Sequence, residues 1–234
     1  MPPSVGCPSG GLGYACLRSD ALPVVMLFTD AAFHEDPTVP GSGYAGISPA
    51  PHSWDEAVTE LNRIGARVIG FDSGDGDANG PLRRMALATG TVSGASPLVY
   101  DIGISGERLS TRVVDAIRTF ASSAVQDISV EASDPDRTDG VNVVDFVEAI
   151  IPDRAVPASG ITGTDPSTST FLGVQAGTSV FYVIVLRNDV VAPGVGPQRF
   201  LLDLVFRGDD RTFIERQTIA IVVPGADGSA CEDL

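Results

Sequence analysis

Pro23-Val-Val-Met-Leu-Phe28 is an unbroken apolar run that ends at Thr29-Asp30, and its reading decides the fold of everything around it. A strand-length stretch without alternation suits a parallel strand covered on both faces. Downstream, Ser53-Trp-Asp-Glu56 opens a helix, because Ser can cap free amides and Glu sits three positions on. Trp54, Ala57, Val58, Leu61 and Ile64 recur at helical spacing, and Gly65 stops the run. Ala66–Phe71 reads as a second strand, Pro81–Thr89 as a short helix ending at Gly90, and Pro97–Ile102 as a third strand. Ser110–Ala121 is the third expected helix, with Val113, Val114, Ile117 and Phe120 inward. Strands alternating with helices predict right-handed crossovers and a parallel sheet.

After Val125 the texture changes to period-two alternation divided by turn residues. Ile128/Val130/Ala132, Val180/Tyr182/Ile184/Leu186, Phe200/Leu202/Leu204/Phe206 and Ile219/Ile221/Val223 are the clearest cases. Five or six such strands predict an antiparallel β-sandwich. Val141–Ile151 is the one stretch here with a helical reading, and Ala155–Thr170, rich in Pro, Gly, Ser and Thr, reads as a long loop. The expected fold class is therefore α/β plus all-β: a truncated doubly wound parallel sheet, then a sandwich. The domain division that follows is a Gly/Pro/Cys-rich loop at 1–22, a partial α/β domain at 23–124, a sandwich at 125–225 and an acidic tail at 226–234.

Composition narrows the partners. The 234 residues carry a net charge of −15, which repels a phosphate backbone or an anionic membrane and argues against nucleic acid. All 15 basic residues are arginine. The apolar runs are strand-length, short of the ~20 residues of a membrane-spanning helix, so no membrane insertion is expected. Residues 1–20 have neither a basic n-region nor an apolar h-region and resemble the interior of a longer protein. An extracellular or cell-surface location with an upstream natural start is the expectation. Cys7 and Cys16 bracket a Gly- and Pro-rich loop with little core of its own, which a local disulfide would staple; two free thiols are the other reading. Cys231 is the odd cysteine.

The strand-end sequence Thr29-Asp30-Ala-Ala-Phe-His34, with Arg67-Val-Ile-Gly-Phe71 and Leu98-Val-Tyr-Asp101 after it, resembles the second half of a von Willebrand factor A domain. The form Thr-Asp-Ala-x-x-His is most similar to the I-like domain of integrin β subunits, and the passage from Ser110–Phe120 into Ala124–Val130 resembles that family's last helix entering a sandwich domain. The resemblance spans residues 22–130 and implies that Asp30 is one ligand of a metal-ion-dependent adhesion site for Mg²⁺ or Ca²⁺. The family's Asp-x-Ser-x-Ser motif does not precede Pro23, and one carboxylate cannot supply about six oxygens, so tight binding by this chain alone is not expected. Asp30 can equally cap the turn after its strand. Asp75, Asp77 and Asn79, followed by Gly80, match the opening of a calcium loop, but position twelve is Ala86; an acidic turn capping the next helix is the other reading.

Two histidines without a Gly-x-Ser-x-Gly elbow, and glycine-rich turns without a phosphate-binding fingerprint, argue against an enzyme. The expectation is a non-enzymatic adhesion-type module binding a protein ligand, or another region of a larger protein. The alternative is a structural segment of a larger envelope protein that binds nothing. The uncharged strand at 23–28 is an expected route to self-association.

Overall fold

The computed structural model describes residues 15–34, 47–74 and 76–226. The chain divides into two compact units, Met1–Ala124 and Val125–Leu234. Unit 1 contains β1 (Val24–Thr29), α1 (Trp54–Arg63), β2 (Arg67–Asp72), α2 (Asn79–Ala88), β3 (Val92–Ser93), β4 (Ser96–Pro97), β5 (Val99–Asp101) and α3 (Leu109–Ser123). Its main sheet is parallel, in the order β1-β2-β5, with Val24 opposite Arg67 and Asp72 opposite Asp101.

Local chemistry explains the helices. Ser53 Oγ accepts from the Glu56 amide while Glu56 Oε2 accepts from the Ser53 amide, which completes a capping box at α1. The α2 helix begins at Asn79, two residues before the expected start, because Pro81 in a first turn has no intrahelical donor to lose. Leu82, Met85 and Ala86 are its buried face. On α3 the inward residue is Ala116, with Val113 and Phe120 packed beside it. Val114 and Ile117 were expected inside, yet they are 53% and 50% exposed. Leu109, Val113, Ala116 and Phe120 share one helical stripe, and Val114 lies well around the helix from it.

The core of this unit is Ile69, Phe71, Leu98, Ile102 and Ala116, with Met26 and Tyr100 against it. The strand buried on both faces is thus β2, not β1 as expected. β2 has a neighbour on each side, whereas β1 ends the sheet among the described residues and leaves Val24 38% and Phe28 46% exposed. The third strand is also shorter than expected. Residues 92–97 instead form a small hairpin, β3 with β4, turning at Gly94, whose φ of 59° favours glycine. Because β5 is short, the Val68 amide finds its acceptors elsewhere: Thr91 Oγ1 at 2.8 Å and Thr89 Oγ1 at 3.2 Å, both threonines being fully buried.

Unit 2 contains β6 (Val125–Ser133), β7 (Val147–Val156), β8 (Gly163–Asp165), β9 (Thr170–Gln175), β10 (Ser179–Leu186), β11 (Gln198–Gly208) and β12 (Thr212–Val223). They form a five-stranded antiparallel sheet, β12-β11-β6-β9-β8, and a two-stranded one, β10-β7. Val141–Ile151 is not a helix: it holds a single 3-10 turn, Val143–Phe146, and the start of β7. Val143, Phe146 and Ile150 point into a core shared with Leu202, Leu204 and Ile221, so apolar spacing there serves a turn and a strand in succession. Ala155–Thr170 is likewise not a continuous loop, for it contains the end of β7, a short 3-10 turn at Ala158–Gly160 and β8. Tyr182 of β10 packs edge-on to Phe171, lies 5.8 Å from Phe206, and donates its hydroxyl to the Ile128 carbonyl at 2.7 Å. One side chain therefore ties the smaller sheet to the larger.

Candidate functional site

In an open parallel sheet, the carboxyl ends of the strands are where loops gather and ligands sit. Here those ends form a row: Thr29, Asp72 and Asp101 are register partners across β1, β2 and β5. Each is followed by a side-chain-closed turn. The Thr29 hydroxyl accepts from the Ala31 amide at 3.1 Å, Asp72 Oδ1 accepts from Gly74 N at 3.0 Å, and Asp101 Oδ1 accepts from Gly103 N at 2.8 Å. The turn after β1 is thus closed by Thr29 rather than by Asp30. Asp30 is exposed, and no described residue donates a hydrogen bond to its carboxylate.

A cleft of about 350 Å³ opens beside this row, lined by Asp72, Gly74, Asn79, Asp101, Ile104 and Arg108 among others. Asp72 is 5% exposed, whereas Asp101 stands at the surface and pairs with Arg108 through both carboxylate oxygens, at 3.0 Å each. A two-toothed pair of this kind fixes orientation more than it adds stability when solvent reaches it. Gly74 joins the first two strand ends, since a β-carbon there would come 2.5 Å from the Asp30 carbonyl oxygen. Ile104 is 80% exposed at the rim. Ser105 donates to Glu107, and hydrogen bonds to its own and the Ser105 region hold the Glu107 carboxyl below its ordinary range.

The expected site residues fall in different places. Asp77 lies in the turn before α2, Asn79 is the first residue of α2 and lines the cleft, and Ala86, at the twelfth position, is buried in the core. Asp75 lies outside the described residues, as do Cys7 and Cys231. Cys16 is disulfide-bonded. Among the described residues, no group of three or more His, Cys, Asp or Glu side chains is arranged to hold a metal ion. Sequence reasoning missed Asp72, Asp101 and Arg108 as neighbours. The shared Asp-x-Gly ending of the second and third strands was the available signal.

No family model matches the chain, and no curated protein matches it. Among solved structures, a von Willebrand factor type A protein from Catenulispora acidiphila aligns at 15% identity with a TM-score of 0.28. The alignment covers 90% of this chain and 45% of that one, so this chain spans less than half the length of the structure it matches. A likeness at that score is too low to support an assignment. No helix among the described residues is long and apolar enough to cross a membrane.

Proposed function

We propose that this chain is a non-enzymatic, protein-binding module of a surface or secreted protein, with unit 1 a von Willebrand factor A-like fold that receives its partner at the strand-end rim. The supporting observation is the register row Thr29, Asp72 and Asp101, which brings Asp30, the Asp101–Arg108 pair and exposed Ile104 to one edge of the parallel sheet. A surface combining an apolar side chain with carboxylates and one oriented arginine suits a protein surface better than a buried small molecule. Asp30 supplies one oxygen ligand toward a hard cation such as Mg²⁺ or Ca²⁺, too few for tight binding.

Amide chemical shifts during a Mg²⁺ titration test the reading. Weak, millimolar-range changes confined to Asp30, Gly74 and Gly103 are expected. Micromolar affinity that disappears in Asp30→Ala would instead mean a completed metal centre. Changes distributed over unit 2, with the strand-end amides silent, would remove the rim from the proposal.

A further inference from the structure

The strands of the parallel sheet end in turns of one kind, yet the turns do not all need a charge. The Thr29 hydroxyl closes the turn after β1 by accepting from the Ala31 amide, so a neutral oxygen is enough. Asp72 and Asp101 close theirs with carboxylates, and the negative charge of each is surplus to the turn. At Asp101 that charge meets Arg108, whose guanidinium reaches both carboxylate oxygens at 3.0 Å. At Asp72 it meets nothing. Asp72 is 5% exposed, its Oδ1 takes the Gly74 amide, and among the described residues no cation pairs with it and no donor reaches Oδ2. Arg108 is engaged by Asp101 and, at 3.7 Å, by Glu107. The start of α2 borders the same cleft at Asn79, but it gives Asp72 no hydrogen bond and only about half a positive charge. A buried carboxylate without a partner is costly to the folded chain, and a cation that enters beside it offsets the cost.

The cleft that Asp72 lines, with Asn79, Asp101, Ile104 and Arg108, holds about 350 Å³. That volume is near the lower end of ligand sites and suits a single side chain. Asn79 adds a side-chain carbonyl, and a planar fork of donors can use a carboxylate and a carbonyl together, where an ammonium acts as a point charge. Ile104, 80% exposed at the rim, offers apolar surface to the methylene stem that carries such a fork. A hard divalent ion fits less well, because it takes about six oxygens and no group of three or more His, Cys, Asp or Glu among the described residues is arranged to hold one. With a net charge of −15, the chain also draws positively charged partners toward it.

We propose that this cleft takes an arginine side chain of the protein partner, with the Asp72 carboxylate as its counter-charge and Asn79 as a second acceptor. The inference rests on the strand-end rim being the docking surface, and names the group that docks there. The stem of the incoming arginine lies along Ile104. Arg108 keeps its own carboxylate throughout, so the site needs no rearrangement to receive its ligand.

Amide chemical shifts of the full chain, followed during titration with a blocked Gly-Arg-Gly peptide, test the assignment. Saturating shifts at Gly74, Gly103 and Ile104 are expected, with a dissociation constant on the order of 1 mM for one side chain. The citrulline peptide, alike in shape but uncharged, should bind about tenfold more weakly or worse, and so should the arginine peptide to Asp72→Asn. Asparagine keeps an oxygen for the Gly74 amide, and Trp54 fluorescence reports whether the variant is folded. Nuclear Overhauser contacts between the arginine methylenes and the Ile104 methyls in the wild-type chain test the pose without any variant, and their absence at saturation overturns it. Equal binding of the two peptides overturns the proposal, because the charge is then not read. Full affinity in folded Asp72→Asn does the same, since another carboxylate must then hold the arginine. Silence of the cleft amides toward arginine, while Mg²⁺ still moves them, overturns this inference and leaves the rim in place; silence toward both removes the rim as well.

Discussion

Replacing Tyr182 by Phe separates a hydroxyl from a ring at the point where the two sheets of unit 2 meet. The hydroxyl donates to the Ile128 carbonyl at 2.7 Å, while the ring stands edge-on to Phe171 at 5.1 Å. Phe keeps the ring and opens no cavity, so the loss is one hydrogen bond, about 1 kcal/mol net. Tyr182→Ala also removes the ring and should cost about 3–5 kcal/mol. Alkaline titration adds a signed check. Burial raises the Tyr182 hydroxyl above its ordinary value, so the folded state keeps a proton that the unfolded state releases near pH 10. Its stabilisation is complete below pH 10 and declines above it, and Tyr182→Phe should flatten that decline. With no lysine in the chain and Tyr182 the only tyrosine after Val125, few other side chains blur the limb. Urea unfolding followed by far-UV circular dichroism reports the sheets, and fluorescence of Trp54, the sole tryptophan, tracks unit 1 separately. If Tyr182→Phe matches wild type within ~0.3 kcal/mol and declines equally above pH 10, the hydroxyl does not link the sheets.

Ser53→Ala should cost unit 1 about 1 kcal/mol by Trp54 fluorescence, through loss of the α1 cap. The Ser53 backbone amide, which alanine retains, is the main cause that lowers the Glu56 carboxyl, so the cost of Ser53→Ala should stay nearly constant as pH falls through the carboxylate range. Gly74→Ala should destabilise unit 1 by roughly 1–3 kcal/mol, since its methyl meets the Asp30 backbone rather than a yielding side chain. Thermal melting that shows Gly74→Ala to be neutral would mean that the first two strand ends separate freely.

What the sequence disclosed is what has a period or a cap. The Val24–Phe28 run, the Ser53–Glu56 box and the alternation of Phe200–Phe206 each translate directly into an element, because a repeated spacing leaves few geometries open. The two-residue strands β3 and β4 are too short to carry a period, and Val143–Phe146 mimics a helical stripe while making one tight turn. Val114 and Ile117 were misplaced because an apolar residue beside a core stripe has the same spacing as one within it. The strand-end row escaped notice for another reason. Asp72 and Asp101 are 29 positions apart in sequence, and only the parallel register between β2 and β5 makes them neighbours.

The threonines that serve Val68 couple two parts of the molecule that fray at different rates in most proteins. Thr89 and Thr91 flank the end of α2, and the amide they hold belongs to the middle strand of the sheet. Thr89 also donates back to the Met85 carbonyl, so its hydroxyl spans the last helical turn and the strand at once. When that turn unwinds, the strand loses an acceptor that no adjacent backbone replaces, and the opening of a helix end becomes an opening in the sheet. Helix end and strand interior should then exchange their amide hydrogens as one cooperative unit, with a single opening free energy where two are usual.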